Sequence, residues 1–162
     1  MIAAETARGV PSRRIVLAGF SQGGVIALQL GLTYLPFITR AVVEAVRVHH
    51  CVRAGQGAHF CVDIYEDVDL AGWAADFRAR NGEVIATVAE GGANLYDARL
   101  SGRIAIAIGN EGAGIDAALL AQATQRVTIP MPGGMESLNA AAAAAVCLFE
   151  CVRQREKEGV SC

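Results

Sequence analysis

The sequence predicts an α/β fold, a single domain built on a parallel sheet with helices on both of its faces. Three observations predict it. Short apolar, largely β-branched runs recur at 14–19, 83–88, 104–108 and 127–129, each bounded by glycine, proline or polar residues, as strands buried on both faces require. Stretches with helical apolar spacing separate several of them, the alternation expected of βαβ units. The length of 162 residues suits one core. The composition is 53% hydrophobic and only 6% aromatic, with much of the apolar excess in alanine and glycine, which suits helices packed tightly on a buried sheet and argues against disorder.

Bulk chemistry narrows the function. A net charge of −2 gives no global pull toward nucleic acid, so any RNA contact must come from a local patch. Cys51, Cys61, Cys147, Cys151 and Cys162 form no C-x-x-C pair, and no histidine lies at zinc-site spacing, so no metal is expected and reduced thiols in a cytoplasmic protein are. Glu5 and Arg8 interrupt the first apolar residues, so no secretory signal is expected. Residues 15–39 carry no charge and are long enough to span a bilayer. The turn signal Ser21-Gln22-Gly23-Gly24 splits that run, which favours a buried strand followed by a buried helix over a membrane span.

Taken in order, residues 1–12 have the composition of a helix end, stopped by Gly9 and Pro11. Arg14–Gly19 is a strand, and Val25 to about Leu35 a helix closed by Pro36. Residues 37–52 fit a short helix or a frayed strand equally, because Val42, Val43, Val46 and Cys51 satisfy either period. The basic groups there (Arg40, Arg47, His49, His50 and Arg53) suit phosphate contact or an ordinary solvated face. After the glycine-rich 53–60, C-V-D-I-Y-E is edge-like. Leu70, Trp73, Ala74 and Phe77 mark a helix from the N-cap Asp69 to the stop pair Asn81-Gly82. Glu83–Val88 is a strand, 89–102 a loop with a turn near Asp97, Ile104–Ile108 a strand, Ile115–Ala123 a helix and Val127–Ile129 a strand. Residues 136–156 form a long helix whose alanine run 140–145 permits close packing, and Arg153, Arg155 and Lys157 suit its C-terminal dipole.

Two features carry chemistry. In the first, Gly19-x-Ser21-x-Gly23 has the nucleophile-elbow spacing, in which small residues let a serine sit on a strained strand-to-helix turn. The passage from Ala7 to Tyr34, with G-F-S-Q-G-G at its centre, resembles the carboxylesterase and acyl-protein thioesterase branch of the α/β-hydrolases. That resemblance implies a serine nucleophile followed in the chain by an acid and then a histidine. Here His49, His50 and His59 follow soon after Ser21, Glu44 is the only acid between, and the first aspartate is Asp63. An elbow kept for its strand–turn–helix geometry is therefore preferred to a live hydrolase.

The second feature is a pair of turns, G-N-E-G-A-G after 104–108 and P-M-P-G-G-M-E-S-L-N after 127–129. Ligands of open α/β sheets bind at the carboxyl ends of the strands, where two adjacent turns make one pocket. Gly109, Gly112 and Gly114 permit close approach, and Pro130 and Pro132 stiffen the second turn. Glu111 and Asn139 supply polar groups to whatever lies between, and Ser137 either caps the last helix or bonds a ligand. Glu111 and Ser137 acting only as helix caps is the competing explanation.

V-R-A-G-Q-G-A-H-F, I-A-I-A-I-G-N-E-G-A-G-I, V-T-I-P-M-P-G-G-M-E-S-L-N-A-A-A-A-A and L-F-E-C-V-R-Q-R resemble the SpoU (TrmH) branch of the SPOUT methyltransferases over about residues 52–157. The resemblance implies an α/β knot, in which a C-terminal trefoil departs from the rule that chains avoid knots. It implies transfer of a methyl group from S-adenosylmethionine to a ribose 2′-hydroxyl of tRNA or rRNA, and a homodimer with the pocket near the subunit interface. By motif it assigns Gly109, Asn110, Glu111 and Gly112, then Ile129, Met131, Ser137, Leu138 and Asn139, to the cofactor site. It puts Thr87 and Gly91 near the adenine, and Glu111, Ser137 and Asn139 take the catalytic positions.

One part of that family's pattern is missing. Its first motif, a strand and turn followed by a helix bearing an arginine thought to activate the hydroxyl, belongs N-terminal to Arg53. Its place is taken by I-V-L-A-G-F-S-Q-G-G-V-I-A-L-Q-L-G-L, whose helix has no arginine. The chain therefore reads as a chimera: 1–36 hydrolase-like, 37–52 a seam, 53–162 methyltransferase-like. Both kinds of unit are a buried strand, a tight turn and an apolar helix, so the sheet can continue across the join. The expectation is donor binding with weak or absent RNA methylation unless Arg40 or Arg53 substitutes as the base. The alternatives are a Ser21 hydrolase and a non-catalytic chimeric fold.

Overall fold

A computed structural model of the chain describes residues 15–20, 38–44, 63–65, 68–109, 112–131 and 138–158. Its strands are β1 (Ile15–Phe20), β2 (Ile38–Glu44), β3 (Asp63–Tyr65), β4 (Glu83–Thr87), β5 (Ala93–Asn94), β6 (Ile104–Ile108) and β7 (Gln125–Thr128). Its helices are α1 (Leu70–Ala79), α2 (Ala117–Ala121) and α3 (Ala140–Lys157), with a 3-10 turn at Leu95–Asp97. The strands form one sheet in the order β3-β2-β1-β6-β4-β7-β5, and every pairing is parallel. The predicted α/β class is borne out. The expected helices 1–12 and 25–35, and Ser21 with its turn, lie outside the described residues. So do 110, 111 and 132–137, through which the expected knot would thread.

β6 shows why helices cover both faces. All five of its residues are buried, and alternate side chains point to opposite faces of a strand. Ile104, Ile106 and Ile108 join Ile85, Val127, Leu95 and Leu100 in a core closed by Ala144, Cys147, Leu148 and Cys151 of α3. Ala105 and Ala107 face the other way, where with Val84 they meet Leu70, Ala74 and Phe77 of α1 and Leu119 of α2. Bulk on one face and alanine on the other let α1 approach closely.

α1 begins where Asp69 accepts the Gly72 N–H at 3.0 Å and ends in a Schellman arrangement. Asn81 takes the left-handed conformation (φ 60°), its N–H donating to Arg78 O and that of Gly82 to Phe77 O, each at 3.0 Å. A Cβ on Gly82 would lie 2.3 Å from the Phe77 ring, so the stop pair needs glycine second as well as asparagine first.

Residues 38–44 of the ambiguous segment 37–52 form a strand, paired with β1 on one side and β3 on the other; 37 and 45–52 lie outside the described residues. The edge-like segment is the edge strand β3. The region expected as a loop from 89 to 102 has its turn at Leu95–Asp97 and also contains β5, a two-residue strand that covers the outer side of β7. The uncharged run 15–39 contains β1 and the first two residues of β2, and among the described residues no helix is long and apolar enough to cross a membrane.

Candidate functional site

The carboxyl ends of β4, β6 and β7, which neighbour one another in the sheet, open into a cavity of about 400 Å³. β4 contributes Thr87 and the following Val88 and Ala89. Ile108 and Gly109 come from β6, with Gly112–Gly114 in the turn beyond, and Ile129 and Met131 follow β7. Leu138, Ala140 and Ala143 close the cavity from the start of α3. Such a volume lies in the range of small-molecule sites. The lining is apolar side chain and exposed backbone, and no ionisable side chain among the described residues contributes to it. This wall can hold a flat apolar group by packing and by peptide N–H and C=O groups.

Local sequence explains the geometry. The Thr87 hydroxyl donates to Ala107 O at 3.0 Å, which fastens the end of β4 to β6. At Gly109 a Cβ would stand 2.5 Å from the carbonyl carbon of Gly114 and 2.7 Å from the Ile115 nitrogen, so the turn folds back on its own first residue. Gly114 takes a positive φ of 69°, open to glycine at no steric cost. α2 is capped by Asp116, whose carboxylate accepts the N–H groups of Ala118 (2.8 Å) and Leu119 (3.4 Å). Asn139 stands just before α3, its side-chain oxygen accepting the Ala142 N–H at 3.4 Å. Glu111 and Ser137, the caps that the sequence offered, lie outside the described residues.

Of the predicted site residues, Thr87, Gly109, Gly112, Ile129, Met131 and Leu138 are brought together around the cavity. Gly91 (φ 74°) lies in the loop 88–92 beyond the lining residues. Asn139 is exposed at the N-terminus of α3 and does not line the cavity. Asn110, Glu111 and Ser137 lie outside the described residues. Sequence reasoning missed Val88, Ala89, Ile108, Ala113, Ala140 and Ala143 as lining. The last two had a signal, since they stand three apart within the alanine run and share one helix face.

Among the described residues the groups with displaced pKa values lie in α3 and do not line the cavity. Burial pushes the Cys147 thiol up to about 12, and burial followed by the neighbouring Cys147 raises that of Cys151. Glu150 is held below its ordinary 4.5, chiefly by its hydrogen bond with Arg153. These shifts reflect packing and pairing in a helix rather than a reactive cluster. Among the described residues no group of three or more His, Cys, Asp or Glu is placed to hold a metal ion.

Fold and site together define a parallel α/β protein with a backbone-lined pocket across three adjacent strand ends, the kind of place where nucleotide-type ligands are held. The family model described as SpoU rRNA Methylase matches residues 33–149, and the chain belongs to that family. A second model, Phospholipase/Carboxylesterase, matches residues 1–44, which include the G-F-S-Q-G-G turn.

The chain is 35% identical over 98 residues to the 23S rRNA (guanosine(2553)-2'-O)-methyltransferase RlmP of Bacillus subtilis, covering 60% of this chain and 39% of that protein. It is 36% identical over 99 residues to the 23S rRNA (guanosine-2'-O-)-methyltransferase RlmB of Shewanella oneidensis, covering 61% and 40%. It thus spans about 40% of the length of these curated relatives. The solved structure of the SpoU methyltransferase AviRb from Streptomyces viridochromogenes, in complex with the cofactor AdoMet, superposes with a TM-score of 0.75 at 26% identity, over 88% of this chain and 60% of that one.

Proposed function

We propose that this chain is the donor-binding part of an S-adenosylmethionine-dependent RNA 2′-O-ribose methyltransferase, acting on rRNA or tRNA, with weak or absent turnover. The observation that supports it is the cavity between the ends of β4, β6 and β7, whose lining includes Thr87, Gly109, Gly112, Ile129, Met131 and Leu138, six of the residues that the family motifs assign to the cofactor. An adenosine-type group fits this wall: Ile108, Ile129, Met131 and Leu138 offer apolar surface to a base, and Gly109 and Gly112 let peptide groups approach a polar edge. When bound, the cofactor supplies an electrophilic methyl group, and the chain's part is to hold it and exclude water. Glu111, Ser137 and Asn139 are assigned to the polar side of the reaction by motif.

Weak turnover follows from the first βα unit. Transfer needs the acceptor hydroxyl aligned and helped to lose its proton. The segment that takes the place of the arginine-bearing helix reads A-L-Q-L-G-L and carries no base. Residues 1–36 are assigned to a hydrolase-like unit, 37–52 to the seam and 53–162 to the methyltransferase-like part of one domain. The homodimer belongs to the same proposal. Phe149 is 56% exposed on the helix whose first turn lines the cavity, with the part-buried Val146 and Val152 three residues to either side. A cytoplasmic location is consistent with an RNA substrate.

Titration with S-adenosylhomocysteine by calorimetry tests the donor site; no heat at millimolar ligand sinks it. The match of residues 1–44 to a carboxylesterase model supports a second reading, a hydrolase using Ser21. Equal hydrolysis of p-nitrophenyl acetate by the wild-type and Ser21→Ala proteins removes that one.

A further inference from the structure

Resting on the donor-site reading, we propose that Thr128 is a positioning residue for the cavity. Its hydroxyl ties the loop forming one wall to the strand that leads into the opposite wall. Val88 and Ala89 line the cavity at the start of loop 88–92, while Ile129 and Met131 line it just after β7. Two hydrogen bonds join these walls. The Val88 N–H donates to Val127 O at 2.9 Å, and the Gly92 N–H donates to Thr128 Oγ1 at 3.0 Å.

The second bond is unusual in its acceptor. The β5–β7 ladder pairs Ala93 with Val127 and Asn94 with Thr128. The Thr128 side chain extends that ladder by one residue, accepting an amide that precedes the first strand pair. Gly92 lies so close to β7 that a Cβ there would stand 2.6 Å from the Val127 carbonyl carbon and 2.7 Å from Thr128 Oγ1. The loop is therefore seated on β7 at both ends. Between those ends Ala89, Glu90 and Gly91 are exposed, with Gly91 in the left-handed region (φ 74°).

The two ties differ in what a substitution can reach. The Val88 bond is backbone to backbone and survives any side-chain change. The Gly92 bond depends on one hydroxyl. Valine at 128 keeps the shape and strand preference of threonine and removes the acceptor, leaving a half-buried N–H without its protein partner. The loop then loses the Gly92 tie and is held at its far end by the β5–β7 pairing alone, so Ala89 is placed less firmly against Ile129 while Val88 stays bonded to Val127. Serine restores the acceptor without the methyl group.

The experiment uses the whole chain in three forms, wild type, Thr128→Val and Thr128→Ser, with S-adenosylhomocysteine as the calorimetric probe. The expected result is about five-fold weaker binding for Thr128→Val, the ratio that one net hydrogen bond is worth, with affinity recovered in Thr128→Ser. The Gly92 amide should exchange with solvent faster in Thr128→Val than in the other two, while amides of β4 and β6 are unchanged. Equal affinity in Thr128→Val and wild type overturns the proposal, and so does a serine variant as weak as the valine one. If the wild type takes up no ligand, the donor-site reading fails and with it the ligand named here. The Gly92 exchange rate still decides whether Thr128 holds the loop, and an unchanged rate overturns that too.

Discussion

Gly109 has no room for a side chain. Because the turn returns to within van der Waals reach of its Cα, Gly109→Ala must push Gly114 and Ile115 away from the cavity mouth. Overpacking of this kind costs about 1–3 kcal/mol. Urea unfolding should show that loss, and calorimetry should show S-adenosylhomocysteine binding falling further than stability does. Cys147 and Cys151 give a second residue-scale expectation. Both are free and fully buried, and burial raises both thiols above the ordinary 9.0. A raised folded pKa contributes stability that is complete below the unfolded value and lost as pH rises above it. Stability should therefore decline above about pH 9, and iodoacetamide should label these two thiols only after unfolding. Substituting both cysteines by alanine should flatten the alkaline limb.

At the scale of elements, the C-terminal half of α3 acts as a clamp on the segment that leads into β6. Gln154 donates to Ala98 O at 2.8 Å and accepts the Leu100 N–H at 2.7 Å, and Arg155 donates to Gly102 O at 2.8 Å. Arg155 lies in the last turn of α3, where it suits the helix dipole, and it is also buried, its guanidinium reaching the loop. Glu150 orients the clamp by accepting from Gln154 and from Arg153. Since its pKa is lowered in the fold, its contribution is present above the unfolded value of 4.5 and lost as pH falls through the depressed one. Acid unfolding of Glu150→Gln should show a shallower dependence on pH below that value than the wild type.

How far the elements were legible follows from the same physics. β4, β6, α1 and α3 carry unbroken local patterns and emerge within a few residues of their expected ends. α3 starts at Ala140 rather than 136 because Asn139 takes the place before the helix. Residues 38–44 could not be assigned locally, since Val42 and Val43 suit either period; pairing with β1 and β3 decides the matter. β5 is too short for any period and exists through β7 and the Thr128 hydroxyl. The site divides in the same way. Thr87, Gly109, Ile129 and Leu138 flank recognisable strand or helix ends. Ala140 and Ala143 acquire their role from where α3 lies across the sheet.

For the whole molecule, Phe149 is the most exposed large apolar side chain among the described residues. Phe149→Asp should convert a dimer into monomers in sedimentation equilibrium while leaving the circular dichroism of the fold intact. A wild-type protein that sediments as a monomer removes the dimer from the proposal. The strand order could not be read from the chain, because no local signal tells β6 to lie between β1 and β4.

That strand order also sets a timetable. β4 and β6 are separated by only the sixteen residues 88–103, which include β5, and pair early in any folding scheme governed by loop closure. Val16 pairs with Ala105, roughly ninety positions away, a closure that slows folding and comes late. The strand that belongs to the esterase-like segment thus joins a half-sheet that is already assembled. Native-state hydrogen exchange should find the β1 and β2 amides opening at lower free energy than those of β4 and β6. A single common opening for all four strands would mean that β1 and β2 form one cooperative unit with β4 and β6, and that the late-pairing strand is as old to the folding process as its neighbours.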